Sequence, residues 1–196
     1  MNSLNRRAAE AISNLLSLPL VAAAVVVAFS FFSPKGLGSI LSPLEAIGLG
    51  IPLIAVAPVV MVLYLFKKGY VDLHVSRGER RPIFFIPALA AYISAAVVFV
   101  SLECKILYLL SVAYLSISLT VLLVTLFWKI SIHMAGLTGA ITALTLVLGA
   151  NYALLYLLAL PLGWARTEIE AHTVPQVVIG AVVGMGVTTL VYVGLI

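Results

Sequence analysis

Charge is scarce in this sequence. Only 9% of the 196 residues are Asp, Glu, Lys or Arg, where an ordinary soluble domain has about 25%. Seven residues are acidic, and Asp72 is the only aspartate. Enzymes that hold Mg²⁺ between clustered carboxylates need more acids set closer together, so that chemistry is excluded. Cysteine is scarcer still. Cys104 alone permits neither an intramolecular disulfide nor a cysteine-based zinc site. Histidine occurs three times, as His74, His133 and His172. No repeat, low-complexity tract or soluble domain is visible, and Gly36 to Ser42 reads only as a loop.

Apolar surface is what the chain has in excess. Hydrophobic residues make up 63% of it, and the mean hydropathy is +1.22. A globule of this size has too little interior to hide that much apolar surface, so most of it must face lipid. This excludes a soluble enzyme, a disordered chain and a nucleic-acid-binding domain, despite a pI near 9.3.

One crossing of a bilayer needs about 20 apolar residues, fewer where protein encloses the helix. By that measure seven stretches qualify: Leu15 to Phe32, Ala46 to Phe66, Ile83 to Ser101, Ile106 to Trp128, His133 to Ala150, Tyr152 to Trp164 and Thr173 to Ile196. The sixth is short and broken by Pro161, which fits either a tilted span or part of a hairpin with the fifth. The runs are continuous rather than alternating, which argues against a closed β-barrel. The expected fold is all-α: one membrane domain over residues 1–196, a polytopic integral membrane bundle of six or seven transmembrane helices. The first stretch follows Asn5-Arg6-Arg7, is long for a signal peptide, and meets no small-x-small cleavage site before Ser33-Pro34-Lys35. It reads as a retained helix.

With seven crossings the polar connections sort onto two faces. One carries Arg6, Arg7, Lys67, Lys68, Arg77, Arg80, Arg81, Lys129 and Arg166; the other carries Lys35 and Lys105 near Glu45 and Glu103. Lysine and arginine accumulate on the cytoplasmic side. The N-terminus is therefore expected inside, in a prokaryotic-type cell membrane. The same face gathers every histidine and four of the six arginines, in three short segments. These are Asp72 to Pro82, Lys129 to His133, and Arg166 to His172 with Thr173-Val-Pro-Gln176 continuing into the last helix. Ionisable groups at a membrane boundary are costly to desolvate, and their convergence marks a candidate site. Solvated loops that anchor anionic headgroups are the alternative; they suit Lys67 and Lys68 but not the absence of histidine elsewhere.

Arginine forks and lysine point charges bind phosphate oxygens. A histidine can attack phosphorus, and a second can protonate the departing alkoxide. Phosphoryl transfer rests on positioning and on neutralising charge on the equatorial oxygens, which guanidinium and ammonium groups supply without a metal. The inventory therefore suits phosphomonoester chemistry on a lipid, with no cofactor and no metal site.

These segments resemble the type-2 phosphatidic acid phosphatase superfamily, the integral lipid phosphate phosphatases related to vanadium haloperoxidases. Its signatures run K-x6-R-P, then P-S-G-H, then S-R-x5-H-x3-D. Arg81-Pro82 matches the end of the first, and Ser131-Ile132-His133 matches S-G-H with isoleucine for glycine. Ala165-Arg166, His172 and Gln176 follow the third at the right spacings. The motifs cover a small part of the chain. The resemblance implies a lipid-phosphatase-like fold and a covalent mechanism, with His172 as the nucleophile forming a phosphohistidine. His133 would protonate the alkoxide and later activate water, while Arg81, Arg166 and Ser131 hold the phosphoryl oxygens.

Two positions depart from the pattern. His74 stands where the family has lysine; Lys129 is favoured to supply the missing charge, with Arg77 as the alternative. Gln176 stands where the family has aspartate. Four residues after His172 on a helix it shares that residue's face, and its amide oxygen can accept the Nδ1 hydrogen without offering a charge. Glu168 or Asp72 could stand in. The implied partners are a lipid phosphate (an isoprenoid phosphate or diphosphate, phosphatidate or a similar lipid) and the surrounding membrane lipids. The competing expectation is a catalytically inactive lipid-phosphate binder or transporter of the same fold. Gly180-x-x-x-Gly184 permits close helix approach, read first as packing within the bundle and second as a homodimer contact. Trp128 and Trp164 fall at expected interfaces, and Pro43, Pro52 and Pro58 at helix starts or kinks.

Overall fold

A computed structural model of the chain describes residues 3–68 and 81–195; Asp72, His74 and Arg77 lie outside the described residues. Those described form helices and no strand. Four helical stretches, Leu4–Phe32, Pro43–Tyr64, Lys105–Thr125 and Val174–Leu195, are long and apolar enough to cross a membrane. Large apolar side chains cover the outside: Phe127, Leu190 and Val193 are 92%, 75% and 73% exposed. An apolar exterior on this scale suits lipid as the solvent.

Helix α1 (Ser3–Leu15) and helix α2 (Leu18–Phe32) are separated by a break at Leu16-Ser17, where Pro19 occupies the first turn of α2. The sequence reading places no helix before Leu15. Helix α1 is polar on one side, with Arg6 and Glu10 paired at 3.2 Å and exposed, and it packs on the later helix that carries Arg166. Helix α3 (Pro43–Gly50) starts on a capping box, in which the Ser42 hydroxyl accepts from the Glu45 backbone and the Glu45 carboxylate accepts from the Ser42 backbone. A π-helical turn (Ile51–Val56) joins it to α4 (Ala57–Lys67), with Ala57 N–H donating to the Pro52 carbonyl. Proline has no N–H, so Pro52 and Pro58 cannot complete the α ladder here, and the register widens by one residue.

Helices α5 (Arg81–Ser101) and α6 (Lys105–Thr125) form an antiparallel pair joined by a tight turn. Helix α7 (Ile132–Leu148) leads into a 3₁₀ segment (Ala150–Leu158) and α8 (Ala159–Glu168), and α9 (Val174–Leu195) follows. At about 2.0 Å per residue for 3₁₀ and 1.5 Å for α, the stretch from Ala150 to Glu168 covers the full length of α7 in reverse. It returns the chain to the end at which α7 began.

Helices α7 and α9 then run parallel and very close. The Ser131 N–H donates to the Gln176 carbonyl at 3.1 Å. A Cβ on Gly180 would stand 2.5 Å from the Ser131 carbonyl, and one on Gly184 would collide with the Ala135 carbonyl and Thr138 Oγ1. Thr138 Oγ1 also donates to the Ala181 carbonyl at 3.0 Å. The G-x-x-x-G pair therefore packs inside the bundle. Leu18 of α2 presses on Gly136, so the starts of α2, α7 and α9 share one end with the final turns of α4, α6 and α8. At the opposite end, Gly38 abuts the Glu103 backbone.

Candidate functional site

The shared end holds a cavity of about 760 Å³. Its rim includes Lys129, His133, Arg166, Glu170 and His172, so two of the three charged segments meet there. Each arrives by a specific local structure.

Arg166 and His172 are joined by the end of α8. Ala171 N–H donates to the Arg166 carbonyl and Glu170 N–H to the Thr167 carbonyl, both within 3.1 Å. This is the paired bonding of a Schellman turn, with Glu170 at φ +57° in the left-handed position usually taken by glycine. His172 N–H reaches the same Arg166 carbonyl at 3.1 Å. The five-residue interval is thus a helix stop that turns the chain back, and both side chains come to line one space.

Gln176 then fixes the ring of His172. Its Oε1 lies 3.3 Å from His172 Nδ1 and accepts from the Thr173 backbone N–H at 3.2 Å. An N–H needs an acceptor, which assigns the oxygen rather than the nitrogen to this side of the amide. The same logic makes His172 Nδ1 the donor and leaves Nε2 with its lone pair. Thr173-Val-Pro-Gln176 is one half of a capping box at the start of α9, a signal legible in the T-x-x-Q spacing.

Lys129, in the turn after α6, donates from Nζ to the Ala171 carbonyl at 2.7 Å and ties the second segment to the third. His133 sits in the first turn of α7, within electrostatic reach of Arg166 and His172. Its Nδ1 is buried without a hydrogen-bond partner among the described residues. Arg166 donates from Nη1 to Ser13 Oγ on α1 at 2.9 Å. Ser13 was not anticipated, because nothing in its own segment marks it.

Two expected residues, Ser131 and Glu168, do not line the cavity. Ser131 is fully buried and is not among the residues lining the cavity; its Oγ accepts from Met134 N–H as the N-cap of α7. The first turn of a helix has N–H groups without intrahelical partners, and a serine at this position satisfies one. Glu168 ends α8 away from the cavity wall, while Glu170, which the sequence reading passed over, reaches it. Arg81 opens α5, one turn from Phe85 in the cavity wall, and its side chain lies outside what the structure describes.

Burial, with the Lys129 and Arg166 charges second, pushes the His172 imidazole down to about 4, against a smaller upward pull from Gln176. The ring is therefore neutral near pH 7. In an unfolded chain it titrates near about 6.5. Between that pH and about 4 the unfolded chain binds a proton that folded His172 refuses. Stability should therefore fall as pH drops through this window. His172→Ala should shrink the acid-induced fall in Tm, measured on detergent-solubilised protein; an unchanged fall would show that the ring is not held neutral.

Comparison with protein-family models, curated proteins and solved structures yields no match for this chain.

Proposed function

We propose that this chain is a lipid phosphate phosphatase of the type-2 phosphatidic acid phosphatase kind, working without a metal through a phosphohistidine. The observation that carries the reading is that His133 and His172 line one cavity together with Lys129 and Arg166. The phosphoryl group of an isoprenoid phosphate, phosphatidate or similar lipid would lie between the two imidazoles, with its oxygens on Arg166 and Lys129. The Nε2 lone pair of His172 attacks phosphorus as the P–O bond to the lipid breaks, and His133, as the imidazolium that the negative charge of the bound phosphate favours, gives a proton to the leaving oxygen. Water then attacks the phosphohistidine and passes a proton to His133. The N–P bond breaks, releasing inorganic phosphate and restoring His172.

In this reading the bundle crosses the membrane seven times: α2, the α3–α4 rod, α5, α6, α7, the Ala150–Glu168 return and α9. The N-terminus and the site face the cytoplasm, where Arg6, Arg7, Lys67 and Lys68 also lie. The test is phosphate release from lipid phosphates by purified protein in the presence of a chelator. Turnover supports the phosphatase; absence of phosphate release from every lipid class overturns it.

Gln176 favours a second reading, a protein that binds lipid phosphates without turning them over. An amide holds the tautomer but cannot stabilise an imidazolium as a carboxylate does. Gln176→Glu separates the two. A carboxylate beside His172 should raise its pKa by about one to three units and move the acid limb of kcat/KM upward from near 4. It should also raise kcat by about one to two orders of magnitude, part of the ~10⁴-fold cost of removing the equivalent charge from a serine-protease triad. Tight binding with no turnover in either protein supports the second reading.

A further inference from the structure

The cavity is far deeper than a phosphate group requires. Its wall on α6 is Tyr114, Ile117, Ser118, Val121 and Thr125, one face of the helix at intervals of three and four residues. Thr125 lies toward Lys129 at the rim, and at 1.5 Å per residue Tyr114 is about 16 Å further in. Helix α5 runs the opposite way and supplies Phe85 near the rim and Tyr92 deep inside. The α3–α4 rod does the same with Leu63 near the rim and Ile54 in the π turn deep inside. Three elements thus descend together from a cationic rim to a common inner end. There the Tyr92 and Tyr114 rings stack at 5.6 Å between centroids and 17° between planes. The Tyr114 hydroxyl is buried, so that residue shows the cavity ring surface rather than its polar tip.

We propose that this slot is a depth gauge for the ligand's apolar chain, and that the Tyr92–Tyr114 stack sets how much of that chain the bundle encloses. The occupant is a phosphorylated amphiphile. The rim cations Lys129 and Arg166 match its phosphate, and the aliphatic and aromatic walls match its tail. The inference rests on the rim being a phosphate site, as proposed above, but not on turnover. A chain drawn from water into the slot gains about 0.8 kcal/mol per methylene, about fourfold in affinity. That gain ends where the chain meets the tyrosines.

The experiment measures Kd for a series of n-alkylphosphonates of increasing length, which cannot be hydrolysed, on amphipol-stabilised protein. The n-alkanols of the same lengths are measured in parallel. Kd is expected to tighten about fourfold per methylene and then to level off abruptly. Tyr114→Ala should move the plateau to longer chains. Ser118→Phe, which places a ring one helical turn nearer the rim, should move it to shorter ones, and misfolding cannot produce opposite shifts. Phosphonates that bind with no dependence on length, or a plateau that neither variant moves, overturn the gauge while leaving the phosphate rim intact. An alkanol ladder as strong as the phosphonate ladder removes the phosphate reading and with it the phosphorylated occupant on which the gauge rests. Binding of neither series overturns the gauge.

Discussion

His172→Ala is expected to reduce phosphate release by about 10⁴-fold or more, the scale seen when the nucleophile of a covalent mechanism is removed. No other described side chain at the cavity rim can replace it. Lys129 Nζ is turned to the Ala171 carbonyl and Arg166 to Ser13, and His133, on α7, has the part of proton donor in this reading. His133→Ala should cost less, about 10²- to 10⁴-fold, because it removes proton transfer rather than the bond-forming atom. The two roles separate on leaving group. A nitrophenyl phosphate departs without needing a proton, so His133→Ala should recover much of its rate there and His172→Ala none. Parent-like turnover by His172→Ala would rule out the phosphohistidine, whatever the fate of the binding site.

Gly184→Leu is expected to be as severe for the fold as His172→Ala is for the chemistry. The Cβ alone collides with the Ala135 carbonyl and Thr138 Oγ1, the first of which is backbone and cannot rotate away. Overpacking of this kind costs about 3 kcal/mol or more, a large part of the roughly 5–15 kcal/mol that holds a domain folded. Any relief that parts α7 from α9 also breaks the bond from Ser131 N–H to the Gln176 carbonyl. It would move His133 relative to His172. Tm and folded yield should both fall sharply. Gly186→Leu is the matched control, since a Cβ there meets nothing within 4 Å and its Tm should stay near the parent's. Equal behaviour of the two variants would mean that α7 and α9 do not meet on Gly184.

Much of the candidate site is legible in the sequence. The Arg166-x5-His172 interval marks a pair because both ends belong to one local turn, and local turns are written in short stretches of sequence. The x3 interval from His172 to Gln176 is likewise one turn of helix, and the observed bond at 3.3 Å follows from it. The family resemblance implies a phosphate ligand at Ser131 because a motif records residue type and order. It does not record whether a hydroxyl points at a cavity or at its own helix. Glu170 was overlooked for the opposite reason: glycine would have announced the left-handed turn, and a glutamate there is silent.

By itself, the sequence determined the apolar, all-helical character of this protein and singled out the ionisable residues of the candidate site. Hydropathy sums over consecutive residues, and 63% apolar content, carried on helices long enough to cross a membrane, suits lipid as the solvent. Which of those residues meet was decided only in three dimensions. Leu18 seats against Gly136, and Gly180 and Gly184 let α9 lie on α7. Those contacts set which ends of the helices coincide, and so bring Lys129, His133, Arg166 and His172 around one opening. The depth of the slot behind them has the same origin. Tyr92 and Tyr114 are unremarkable in sequence and become a floor only because α5 and α6 run antiparallel in register. Spacing along one helix is local information, whereas the register between two helices depends on how small side chains let their backbones approach.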